Sequence, residues 1–227
     1  SCTQGKLITE WNEPKLREIK SDLQIAAFLQ EVGKIIISMV LIEKKLVNQF
    51  QKKLEWWEDI STLEEKTVYK SSAEVTTMIF KHWKLNPDMI RLIEFSDKPE
   101  NAPDDLKDWA MALKIVKTLS PVFRESLGSK DLLKALKLSL NYDFDWNYIT
   151  KLIENLDKTG KFDWSIIKTD NKFNWNIIKK VLETLNTIDE FNWNAFKRIN
   201  ADDWRYYYDW DDIEKSITTN NQKKEAN

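Results

Sequence analysis

Three residue types could do chemistry in this chain, and two of them are almost missing. His82 is the only histidine and Cys2 the only cysteine. A Ser-His-Asp or Cys-His arrangement would have to use His82, whose surroundings, "FKHWK", read as helix and supply no nucleophile. A zinc-type site needs several His or Cys ligands, and one of each cannot make it. Four scattered glycines cannot build a phosphate-cradling loop. The carboxylates remain. With 37 Asp and Glu in 227 residues, chance pairs are certain, so a two-carboxylate hydrolase stays open without a specific pair to carry it.

The elements that would position any such group are helical. Gly 4 and Pro 5 are too few for a turn-rich β fold, and hydrophobic residues at 42% with charged residues at 32% fit a core under amphipathic helices. The net charge of −2 argues against a nucleic-acid partner. A lone cysteine allows no internal disulfide, which suits the cytoplasm. The apolar run "VGKIIISMVLI" (32–42) carries Lys34 and is too short to span a bilayer, so no membrane association is expected. The chain lacks an initiator Met and reads as a fragment or a processed product.

Residues 15–55 read as two or three helices, with Gly33 at a joint. Residues 72–84 have helical spacing, with Ser71 or Ser72 as cap. Asn86 caps the next helix, with Pro87 in its first position. Residues 99–105 are a loop, 104–119 a helix opened by Asp104 and Asp105, and 129–142 a further helix after Gly128. The polar tail 218–227 reads as disordered.

From residue 143 the chain repeats itself. Trp146 and Trp175 lie twenty-nine residues apart, as do Trp164 and Trp193, and each Trp follows a Phe-Asx pair. The apolar residues that follow Trp146 recur in register after Trp175: Ile149, Leu152, Ile153 and Leu156 against Ile178, Val181, Leu182 and Leu185. The pattern predicts one longer and one short helix, duplicated. In each triplet Asx is a helix N-cap and the Phe precedes it, where it should staple to an apolar residue at N4. The predicted pairs are Phe144 with Ile149, Phe162 with Ile167, Phe173 with Ile178 and Phe191 with Phe196, and Tyr208 with Ile213 makes a fifth. This is a signal about helix starts. Holding helices together is the main reading of these tryptophans, with sugar, base or peptide binding the competing one.

Two stretches carry a family resemblance. "FLQEVGKIIIS" (28–38) resembles the central signature of the HD superfamily, in which a His-Asp pair binds metal for phosphohydrolysis. "SAEVTTMIFKHWKLNPDMIRLIEFSDKPENAP" (72–103) resembles the next block of the HDOD branch, with Trp83 and Leu85 in register. The helix around "LKDWAMALKIVKTL" stands where that branch has its closing core helix. The likeness covers roughly residues 6 to 140 and is to HDOD proteins of epsilonproteobacterial type, without the N-terminal half of the domain. At the positions of the metal ligands this chain has Gln30, Glu31, Ser72, Ser96 and Asp97. The resemblance therefore implies a catalytically silent signalling domain with no metal and no cofactor.

The expectation is an all-α protein: a degenerate HD-like bundle over 1–142, a duplicated helical segment over 143–217 and a disordered tail over 218–227. Its expected role is that of a non-enzymatic regulatory or scaffold protein with a protein partner. Trp56, Trp57, Trp204, Tyr206, Tyr207 and Tyr208 are the interaction candidates, because surface aromatics often anchor interfaces. The alternatives are a regulatory domain that senses a small nucleotide and a residual carboxylate-only metal phosphohydrolase.

Overall fold

In the computed structural model the described residues are 2–55, 60–120, 129–159, 164, 167–169, 172–185, 197–199, 206–210, 212–213 and 215–216. Helices dominate them, and the fold is all-α. The chain divides into two compact units, Ser1–Phe123 and Arg124–Asn227.

The first unit contains α1 (Cys2–Glu10), α2 (Lys20–Leu29), α3 (Gly33–Glu43), α4 (Val47–Glu55), α5 (Ile60–Val68), α6 (Ser72–His82), α7 (Pro87–Glu94) and α8 (Asp104–Leu119). The central element is α8, whose Ala110, Leu113, Ile115 and Val116 are fully buried. Helices α1, α2 and α7 pack on it, and α6 joins α7 to α3. A second apolar cluster, Ile37, Leu41, Phe50 and Leu63, holds α3, α4 and α5 together.

The caps fall where residue chemistry puts them. Ser71 accepts from the Glu74 amide at 3.2 Å while Glu74 accepts from the Ser71 amide at 2.9 Å, a complete capping box. Asn86 Oδ1 accepts from the Asp88 amide at 2.8 Å, and Pro87 occupies the first turn. Residues 99–101 form a short 3-10 turn within the expected loop.

Gly33 is a joint of a particular kind. It opens α3 at a close crossing with α6, where a Cβ would lie 2.1 Å from the Ser72 carbonyl oxygen. Its amide donates to Thr76 Oγ1 at 2.8 Å, and that hydroxyl donates back to the Gln30 carbonyl. The backbone stays helical enough through 30–32 that Lys20–Glu43 forms one 24-residue helical stretch. By length and composition alone this stretch could cross a membrane, in contrast to the shorter run read from sequence. One of its faces, including Leu23, Ala26, Ala27 and Ile37, is built into the core.

The second unit contains α9 (Ser129–Asn141), α10 (Trp146–Asp157) and α11 (Trp175–Leu185). Helix α9 packs on both α10 and α11, so it belongs with the repeat. The division into compact units falls between 123 and 124. After Trp164 the chain makes a 3-10 turn at Ile167, whose amide donates to the Trp164 carbonyl at 3.0 Å, and the rest of both expected short helices (165–166 and 194–196) lies outside the described residues. Strand β1 (Lys168–Thr169) pairs antiparallel with β2 (Lys172–Phe173), and β3 (Lys197–Ile199) pairs with β4 (Tyr206–Tyr208). The registers correspond: Lys168 faces Phe173 and Lys197 faces Tyr208. Each ribbon thus ends on the aromatic residue that opens the next triplet. Among the described residues, each longer helix is followed by a small β-ribbon, which the sequence did not predict.

Burial fits the staples that lie in described residues: Phe144 and Ile149 are both buried, as are Tyr208 and Ile213, while Ile178 is buried and Phe173 half-buried. Asp145 Oδ1 accepts from the Asn147 amide at 2.8 Å, and Asp209 Oδ1 from the Asp212 amide at 3.1 Å. Trp146 and Trp175, equivalent in the two copies, meet edge to face at 6.2 Å. Phe162, Phe191, Phe196, Trp193 and the tail 218–227 lie outside the described residues.

Candidate functional site: a buried ionic centre

All five positions that the family pattern would give to metal ligands are buried. Gln30 follows the last turn of α2 and Glu31 lies in the bend before α3. Ser72 opens α6, and Ser96 and Asp97 follow α7. The fold brings only some of them together.

Glu31 and Asp97 meet through a lysine. Lys117, in the last turn of α8, places Nζ 2.5 Å from Asp97 Oδ1 and 3.5 Å from Glu31 Oε1. Lys34, one turn after Glu31, pairs with its other oxygen. A third carboxylate, Glu64 of α5, is fully buried and accepts from the Ser72 amide at 2.7 Å. Ser72 therefore contributes its backbone to the centre.

Gln30 and Ser96 point elsewhere. Gln30 Nε2 donates to Gln4 Oε1 at 3.1 Å, and Gln4 Nε2 donates to the Ser120 carbonyl at 3.0 Å. That chain ties α2 to α1 and to the end of α8. Ser96 Oγ donates to the Ile93 carbonyl at 2.8 Å and closes its own helix end.

The electrostatics follow from three carboxylates facing two ammonium groups. Burial pushes the Asp97 carboxyl up, but the attraction of Lys117 and hydrogen bonds from Lys117 and Ser71 outweigh it and hold the group below its ordinary value. Burial would likewise lower Lys117, yet the attraction of Asp97, Glu31 and Glu64 raises it overall, so it stays charged. Lys34 is lowered, chiefly by burial and further by the repulsion of Lys117, against the pull of Glu31. Glu64 is raised by burial, with Lys117 and Lys34 only partly opposing. The pair Asp97–Lys117 is thus the charged heart of the centre, and Glu64 is the carboxyl most ready to take a proton.

This donor set does not suit a divalent cation. An ammonium already lies between Glu31 and Asp97, and a second one engages Glu31. A metal ion would have to displace them, and the described residues bring no imidazole to help, since His82 is on the surface of α6. The lysines neutralise the carboxylates that an ion would otherwise neutralise.

Lys34, Glu64 and Lys117 were not singled out from the sequence. The signal for Lys117 was there: Ala110, Leu113 and Lys117 are spaced i, i+3, i+7 on one helix face, and the first two are core. A lysine in that stripe needs a buried carboxylate.

The aromatic candidates fare differently. Trp56, Trp57 and Trp204 lie outside the described residues. Tyr206 and Tyr207 are strand residues of β4. Tyr208 is no surface anchor: it is buried and packs edge-on against Trp210 at 6.1 Å, because it is the staple residue of the last helix start. Burial also raises its hydroxyl pKa.

Comparison with known proteins bears on the fold. Residues 7–99 match the model of the HDOD domain. No curated protein matches the chain. A virulence factor of Campylobacter jejuni subsp. jejuni, Cj0248, shares the fold with a TM-score of 0.50 at 22% identity, over 69% of this chain and 60% of that one. A Shewanella amazonensis SB2B protein provisionally named a phosphohydrolase aligns over 70% of this chain and 56% of that one, with a TM-score of 0.48 at 15% identity, too distant to bear on the fold. The chain thus spans less than two thirds of the length of either structure. The HDOD stretch contains Gln30, Glu31, Lys34, Glu64, Ser72, Ser96 and Asp97, and Lys117 joins them from beyond its end.

Proposed function

We propose that this chain is a non-enzymatic regulatory or scaffold domain of bacterial signal transduction, acting in the cytoplasm through helical surfaces presented to a protein partner. One observation carries the reading: the Lys117 ammonium lies between Asp97 and Glu31, in a buried centre at two of the positions that the resemblance assigns to metal ligands. A centre closed by its own side chains has no open coordination position to activate water. It serves instead to lock α8 to the bend before α3 and to the end of α7. The nucleotide-sensing alternative lacks a comparable support, since the side chains of this centre are sealed from solvent.

The test is turnover and capture together. The protein is incubated with phosphomonoesters, phosphodiesters and nucleotides in the presence of Mn²⁺ or Mg²⁺, and phosphate release is compared with that of Asp97→Asn. Equal, background-level release from both fits the proposal, and a protein partner captured on the same bait strengthens it. Release that the wild type shows and Asp97→Asn loses would return the chain to the hydrolases.

A further inference from the structure

The exposed side of α2 and α3 has an order that the core does not require. Ile25, Phe28, Ile35, Ile36, Met39 and Ile42 are all substantially exposed, Met39 at 61% and Ile42 at 67%. At 100° per residue Ile35, Ile36, Met39 and Ile42 fall within an arc of about 120° on α3, and Ile25 and Phe28 lie about 60° apart on α2; the turn at residues 30–32, with half-buried Val32, joins the two. The residues 25, 28, 32, 35, 39 and 42 are spaced alternately three and four apart. That is the a/d pattern of a coiled-coil seam over three heptads, and every position in it is Ile, Phe, Val or Met. The flanking positions are Gln24, Leu29, Glu31, Ile36, Ser38 and Glu43; Glu31 is buried in its ion pair, which leaves Glu43 the one exposed charge among them.

The spacing is also palindromic, reading the same from either end about a point between Gly33 and Lys34. We infer that this face pairs with a second copy of the chain, as an antiparallel two-fold helix pair. Residue 25 then meets 42 of the other copy, 28 meets 39, and 32 meets 35, the a-to-d contacts of an antiparallel seam. Such a contact is isologous and closes at two chains. The shape agrees. At the α2 end the seam opens into a groove between α1 and α2, where Ile25 and Phe28 meet Gly5 and Thr9 and the charged Lys6 and Glu10 stand in the lining. At the α3 end Met39 and Ile42 are exposed, and the two-fold places them at the groove of the other copy.

The area agrees as well. The exposed parts of the six apolar residues come to roughly 600–700 Å², close to the ~800 Å² per partner of a standard interface before any flanking residue is counted. Leaving so much contiguous apolar surface in water is unusual for a monomer. The pairing stands apart from the regulatory reading, since a hydrolase could pair through the same face.

The test is the mass of the whole chain in solution between about 5 and 100 µM, by sedimentation velocity. The expected species has twice the 27.0 kDa of one chain. Met39→Glu and Phe28→Glu, both at exposed positions, should each weaken the dimer at least ten-fold while leaving helical content and melting temperature of the monomer unchanged. In a Cys2→Ser background, Ile25→Cys with Ile42→Cys should cross-link two chains on oxidation, and Ile42→Cys alone should not. A monomer at 100 µM overturns the inference, as does a dimer untouched by Met39→Glu or a cross-link through position 42 alone. Co-sedimentation of a monomeric wild type with phosphatidylglycerol vesicles, lost in Met39→Glu, would assign the face to a lipid surface and overturn it too.

Discussion

The two units solve the problem of fixing helices in opposite ways. The first locks α3, α5, α7 and α8 with a buried cluster of opposite charges, Glu31, Lys34, Glu64, Asp97 and Lys117. The second uses aromatic side chains at each helix start and ribbon end, with Phe173 stacked on Trp175 at 4.4 Å and against Trp164 at 6.2 Å. Apolar packing tolerates modest changes of size, because dispersion and burial are roughly additive in the atoms retained. A buried ionic centre does not, since removal of one partner leaves an uncompensated charge. The first unit therefore has a fragile middle.

The sharpest break is Lys117→Met. It leaves Asp97 buried and unpaired, and should cost about 3–5 kcal/mol in chemical denaturation. Adding Asp97→Asn should recover much of that loss, because the amide needs no counter-charge. In the second unit Trp164→Ala should cost about 3–5 kcal/mol through the cavity it leaves, and no second substitution of charge should recover it. Gly33→Ala comes next, at roughly 1–3 kcal/mol or more, because the new methyl meets the Ser72 backbone carbonyl, which cannot yield as a flexible side chain would. Asp145→Ala removes one helix cap and should cost about 1 kcal/mol.

The smallest effect separates the units by pH. The Glu64 carboxyl is raised above its ordinary 4.5 in the fold, so the folded state holds that proton more tightly than the unfolded chain. Its contribution is complete below that ordinary value and is lost as pH rises through the raised one. Glu64→Gln, which can still accept from the Ser72 amide, should remove this loss and flatten the stability profile above pH 4.5. Asp97 has the opposite sign: its contribution is present above its ordinary 3.8 and fades as pH falls through the lowered value. Denaturant melts of wild type and Glu64→Gln across pH 4 to 8 measure the difference.

What was legible in the sequence was local. Ser71 and Asn86 as caps, Pro87 in a first turn, the helix over 104–119 and the Asp145 cap all depend on residues a few positions apart, and they stand as read. The ribbons were missed because the same triplet chemistry ends a strand as readily as a loop, and because Lys168 and Phe173 pair across a connection with no strong turn residue. The site was half legible. The resemblance named Glu31 and Asp97, but a composition of 37 carboxylates gave no means to add Glu64, and Lys117 joins only through the packing of α8. Pairing across sequence separations this long is set by tertiary packing, which a single chain of letters does not show.

The proposal depends on Lys117 and Lys34 excluding a cation from the buried centre. The most direct test is to strip the protein with chelator and follow its melting temperature as Mn²⁺, Mg²⁺ or Fe²⁺ is added to millimolar levels. The account predicts no shift beyond that of an unrelated helical protein. A saturable rise that Asp97→Asn abolishes would contradict it, and would show that a metal displaces Lys117 from Asp97.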